Sequence, residues 1–146
     1  MKTAAILIMM LATSVQAEQV ADEFVEAMIG WYTTKVECDV WDYQCQLSQL
    51  HKEKAVGDYA QRFLAINRQP ERGLNRVAQA WIEALKAHEA WVMAWHGKEK
   101  ENQTQDEIRI LIELLERNAH AWRRVAAELR SGVPELDVIV PVKPKP

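Results

Sequence analysis

Between Glu71 and His96 the chain places Leu74, Val77, Trp81, Ala84, His88, Trp91 and Trp95 at intervals that alternate between three and four. An α-helix turns once every 3.6 residues, so this spacing sets all seven side chains along one face. Such a seam must be covered, and a facing helix with the same repeat covers it best. The next helical stretch supplies one: Ile108, Leu111, Leu115, Asn118, Trp122, Val125 and Leu129, with Ile112, Ala119 and Ala126 widening the stripe. It opens with "TQDE", in which Thr104 caps the helix and Glu107 stands three residues on, a capping box. Gly97 ends the first of these helices, and Ser131–Gly132 followed by Pro134 ends the second. Two adjacent matching seams predict an αα-hairpin.

Two more helices precede the pair. Val20, Phe24, Met28 and Trp31 recur at helical spacing between Glu18 and Tyr32. A further helix runs from Tyr43 to Asn67, with Asp42 as N-cap and Leu47, Leu50, Val56, Tyr59, Ala60, Phe63 and Leu64 as apolar positions. Its first half is polar and holds Gly57, which predicts weak packing or a bend there. Pro70 in "NRQPERG" closes it. The expected fold is therefore all-α: an up-and-down bundle of three to four helices over residues 18–132. Residues 133–146 hold four of the five prolines and predict an extended Pro-rich tail. Its "LDVIV" segment could dock in a helix groove or add to a partner's sheet; a frayed terminus is the simpler reading.

The N-terminus speaks to compartment. "MKTAAILIMMLATSVQA" has one basic residue, an apolar run from Ala4 to Leu11, and small residues Val15 and Ala17 at the −3 and −1 positions of a cut. That is the pattern of a secretory signal peptide over residues 1–17. The run is too short to span a bilayer, and no later run is longer, so no transmembrane segment is expected after cleavage. The product is expected in the periplasm or outside the cell. Removing Lys2 leaves 17 of 18 basic residues against 21 acidic ones. A net charge of about −4 without a basic face disfavours nucleic acid as a partner.

Two cysteines in an exported chain predict a disulfide. Cys38 and Cys45 lie seven positions apart in "ECDVWDYQC". Seven residues of continuous helix advance about 10 Å, whereas bridged Cα atoms lie within about 7 Å. An oxidised pair therefore forces the chain to turn between the first two helices. Glu37, Asp39, Val40 and Trp41 fall at the tip of that stapled loop. Acidic and aromatic side chains on a rigid loop suit a protein partner.

Other residues could carry chemistry. His88 lies on the seam among tryptophans, where a haem-binding bundle would place an axial ligand, with Met28 or Met93 as the second. No C-x-x-C-H motif is present, so any haem would be non-covalent. The alternative is a core histidine with a buried polar partner, for which Asn118 on the facing seam is suited. Glu113, Glu116 and His120 share one face of the last helix, and the last two stand at metal-ligand spacing. Arg117, Arg123 and Arg124 beside them oppose a divalent cation, and helix-surface ion pairs account for the pattern. No nucleophile motif is present, so neither an enzyme nor a resident cofactor or metal is expected. Of the six tryptophans, Trp81, Trp91, Trp95 and Trp122 sit on seams and read as core. Trp31 and Trp41 adjoin the cysteine loop and read as harder to bury.

"QCQLSQLHKEKAVGDYAQRFLAIN" and "RVAQAWIEALKAHEAW" resemble segments of the LprI-type periplasmic lysozyme-inhibitor proteins. The resemblance spans about residues 38–90 and rests on Cys45, a helix with recurrent Leu and Tyr, and "AQAW" at Ala78–Trp81. Leu85 and Lys86 stand where that family carries a basic-acidic pair, and its later cysteines are missing. The resemblance implies a binding protein that blocks a lysozyme-like hydrolase. The sequence reading is thus an exported, non-enzymatic protein that binds a protein partner, of inhibitor or immunity type. A haem or metal carrier using His88 and an envelope-associated structural protein are the alternatives. Oligomeric state is left open.

Overall fold

The computed structural model describes residues 2–69, 72–95 and 103–132, with side chains from residue 15 onward. It contains four helices: α1 (Lys2–Thr34), α2 (Tyr43–Ile66), α3 (Gly73–Trp95) and α4 (Gln105–Gly132). The expected bundle is present, and there is no strand among the described residues. Pro70, His96, Gly97 and the tail at 133–146 lie outside the described residues. Among those described, no helix is long and apolar enough to cross a membrane.

Consecutive helices pack on one another, and residue pairs fix their directions. Asn67 at the end of α2 donates to Ala17 O midway along α1, while Trp31 late in α1 packs on the cluster that holds Val56. Asn75 near the start of α3 donates to Asn67 O at the end of α2, and Tyr43 at the start of α2 meets Trp95 at the end of α3. Arg76 pairs with Glu128 at 3.1 Å and Glu83 with Arg124 at 2.5 Å, running α4 back along α3. Each neighbouring pair is antiparallel, as short connections require.

Helix ends follow local chemistry. Asp42 caps α2, its carboxylate accepting from Cys45 N at 3.1 Å. At the other end the Asn67 N–H donates to Phe63 O, and the buried Asn75 side chain satisfies the Asn67 carbonyl left over by the last turn. Thr104 Oγ1 accepts from Glu107 N at 3.2 Å at the start of α4. These caps satisfy backbone groups that lack intrahelical partners.

The core has two parts. One gathers Phe24, Met28, Trp31, Val56, Phe63, Val77, Trp81 and Val125; the other holds Leu50, Trp91, Val92, Trp95 and Leu111. All seven seam residues of α3 are buried. The α4 stripe is narrower than expected: Leu111, Val125 and Leu129 are buried, but Ile112 is 47% exposed. Because α4 packs chiefly against α3, only a narrow face of it is covered. Trp31 corrects the sequence reading, since it is buried rather than displaced toward the loop. Its ring stacks on Trp122 at 5.3 Å and meets Trp81 edge-on at 5.1 Å, which ties α1 to α3 and α4.

Gly57 does not bend or loosen α2. It is buried within a continuous helix, and a Cβ there would come within 2.8 Å of Leu85 Cδ2. The missing side chain lets α2 approach α3 closely.

Candidate interaction site: a stapled loop and its buried anchor

Residues 35–42 join α1 to α2. The Cys38–Cys45 disulfide closes this connection, with Cα atoms 5.6 Å apart. Within the loop, Asp39 has two roles. Its carboxylate accepts from Trp41 N at 2.9 Å, and its carbonyl accepts from Asp42 N at 3.1 Å. A short acidic side chain that bonds the backbone two residues on stabilises a tight turn. Glu37, Asp39, Val40 and Trp41, the four residues expected at the loop tip, are all exposed. They sit together as the spacing argument requires.

Trp41 is not wholly free. It is 36% exposed, and its ring meets Trp95 edge-on at 5.6 Å. Tyr43 meets the same indole at 5.4 Å. Behind them Trp95 stacks on Trp91 at 5.9 Å, and Trp91 on His88 at 6.1 Å. An aromatic ladder thus runs from the core to the loop.

A second connection is polar. Gln46, Leu50, Glu53, Gly57 and Ala60 lie four, three, four and three apart on α2, so they share the face that meets α3. Gln46 Nε2 donates to Asp39 O at 3.0 Å, and Gln46 Oε1 lies 3.0 Å from His88 Nε2. The other ring nitrogen, Nδ1, lies 2.5 Å from Glu53 Oε2. Glu53 O accepts from Trp81 Nε1 at 3.1 Å. His88 and Glu53 are both 3% exposed and stand where the two parts of the core meet. Burial pushes the Glu53 carboxyl above its ordinary range, although the hydrogen bond and charge of His88 pull the other way.

This arrangement corrects two expectations about His88. Its polar partners are Glu53 and Gln46 on α2, not Asn118 on α4, whose Oδ1 is buried without a hydrogen bond. Both ring nitrogens are engaged by the chain's own side chains, so neither is presented to a haem iron. Met28 is fully buried in the apolar core, and Met93 is 52% exposed. Among the described residues no group of three or more His, Cys, Asp and Glu could hold a metal ion; Glu113, Glu116 and His120 are simply exposed on α4.

Gln46 and Glu53 were not recognised from sequence. Their 3-4 spacing with Leu50, Gly57 and Ala60 was the available signal, obscured because two of the five are polar and one is glycine. Comparison with known proteins returns no matching family model, no curated relative and no matching solved structure.

Proposed function

We propose that the protein is an exported, non-enzymatic binding protein that grips a protein partner through Glu37, Asp39, Val40 and Trp41. The observation that carries this reading is pre-organisation of the loop. These exposed residues stand on backbone held by a disulfide, a helix cap and the Gln46 side chain, which itself leans on buried His88. Rigid epitopes lose little conformational entropy on binding, and tryptophan is among the residue types enriched at hot spots. Two carboxylates beside it favour a partner with a basic face.

The leader-like residues 1–17 and the disulfide support export to an oxidising compartment. An inhibitor or immunity-type role suits a small protein with one rigid acidic loop. The segment around "AQAW" makes a lysozyme-like hydrolase the first target to test. Cell-wall hydrolysis by such an enzyme should slow when the protein is added in molar excess. Trp41→Ala should abolish the effect while leaving the fold intact. Unchanged hydrolysis at large excess would exclude that target, and capture from periplasmic extract on wild type against Trp41→Ala would then seek another.

A further inference from the structure

Asp39 O is a carbonyl and can only accept, so the Gln46 group facing it must be the NH₂. Gln46 therefore presents its oxygen to His88, and His88 Nε2 must carry a hydrogen. Nδ1 then shares a single proton with Glu53 Oε2 across 2.5 Å. With that proton on the carboxyl, Glu53 donates to His88 Nδ1; with it on the ring, Nδ1 donates to Glu53; in both cases His88 Nε2 donates to Gln46 and Gln46 to Asp39 O. We propose that this chain is a proton-operated strap, in which the proton shared by Glu53 and His88 holds the stapled loop in its binding conformation.

The consequence of losing that proton follows from hydrogen-bond polarity. An ionised Glu53 beside a neutral His88 draws the ring hydrogen to Nδ1. Nε2 becomes an acceptor and faces the Gln46 oxygen, lone pair to lone pair. Gln46 must turn its amide over to satisfy it, and then offers an oxygen to the Asp39 carbonyl. The anchor of the loop is lost, although nothing in the loop itself has titrated. Burial supports this direction, since Glu53 keeps its proton more firmly than an ordinary carboxyl.

Among the described residues, the charged groups on neighbouring elements pair elsewhere. The α2 and α3 residues next along, Lys54 and Glu89, pair with each other at the surface at 3.0 Å. The ion pairs between α3 and α4, Arg76–Glu128 and Glu83–Arg124, are also at least partly exposed. On α1, Tyr32 packs against Trp31 and Trp81. The pull of an ionisable group on Glu53 comes from His88.

This inference gives the site of the proposed function a regulator, and its test needs no partner. The rate at which a phosphine reductant opens Cys38–Cys45 would be measured across pH on the oxidised protein, on Glu53→Gln and on Gln46→Leu. Glu53→Gln can donate to Nδ1 at every pH; Gln46→Leu has no strap. Wild type should open about two- to tenfold faster as pH rises, the equilibrium effect of about one net hydrogen bond. Glu53→Gln should stay slow throughout, and Gln46→Leu should be fast throughout. A wild-type profile parallel to that of Glu53→Gln would overturn the strap, as would a Gln46→Leu profile matching wild type. Far-ultraviolet circular dichroism separates local opening from unfolding. Should Gln46→Leu not fold, amide exchange at Asp42 N–H in wild type against Glu53→Gln decides the matter. A protection factor that falls at high pH in wild type alone supports the strap, and equal protection in the two proteins overturns it.

Discussion

His88 Nδ1 stands 2.5 Å from Glu53 Oε2, with both side chains 3% exposed and 35 residues apart in sequence. The pair joins α2 to α3 where the two parts of the core meet. Breaking one side of it leaves the other buried without a partner. Glu53→Ala should therefore destabilise the fold by about 1–3 kcal/mol, the desolvation penalty of an orphaned polar group. Glu53→Gln keeps a donor toward Nδ1 and should cost less. Urea denaturation of the three proteins at one pH checks the order.

The same pair predicts how stability depends on pH. Burial raises the Glu53 carboxyl, more than His88 lowers it, so the folded chain holds this proton more tightly than the unfolded one. The contribution is full below the ordinary value of 4.5 and is lost as pH rises through the raised folded value. Wild type should lose stability relative to Glu53→Gln as pH climbs from that ordinary value. Equal pH slopes in the two proteins would show that Glu53 exchanges no proton on folding.

The tryptophans should divide sharply under truncation. Trp91 is 1% exposed and sandwiched between His88 and Trp95. Trp91→Ala should cost about 3–5 kcal/mol, as large aromatic deletions in cores do. Trp41 leans on Trp95 with only part of its ring covered, and Trp41→Ala should cost about 0.5–1.5 kcal/mol. Similar denaturation midpoints for the two variants would mean that Trp41 is a core residue and a poor choice of epitope.

Gly57 offers a test of the close approach between α2 and α3. A methyl there gains helix propensity worth about 1 kcal/mol but presses on Leu85 Cδ2, the tip of a half-buried side chain. Gly57→Ala should change stability by less than about 1 kcal/mol. Gly57→Val has no such escape and should cost about 1–3 kcal/mol through overpacking. Thermal melts of both variants would distinguish a tight contact from a loose one.

Removing the disulfide should act mainly through the unfolded chain. Closing so short a loop stabilises by roughly 2–3 kcal/mol on the chain-entropy model. Cys38→Ala with Cys45→Ala should lower stability by that amount and weaken partner binding further, since the loop's covalent restraint is gone. Comparison with Gln46→Leu would apportion the restraint between the covalent and the polar tether.

What the sequence made legible was whatever is local or apolar. The α3 seam was readable because seven residues in strict alternation leave one burial pattern. The bridge and the Asp42 cap were readable because their partners lie within seven residues. Glu53 and Gln46 were not, because their partner is 35 and 42 residues away and polar residues ordinarily mark a solvent face. Ile112 misled for the converse reason: an apolar residue beside a seam is covered only if a second helix reaches it. Trp31 misled because proximity to the loop in sequence said nothing of the ring's direction. Comparing helices two at a time cannot show a contact such as Trp31 with Trp122, which joins the first helix to the last.

The division of the core has an optical consequence. Trp31, Trp81 and Trp122 form one group, while Trp41, Trp91 and Trp95 form the other. Together they are all six tryptophans of the chain. Each end of the bundle thus carries its own chromophores, and the parallel pair Trp31 and Trp122, stacked at 9°, should couple strongly in near-ultraviolet circular dichroism. Replacing one trio with phenylalanine would leave the emission reporting on the other end alone. Melting curves from the two half-silenced proteins would coincide if the bundle unfolds in one step and separate if one end lets go first.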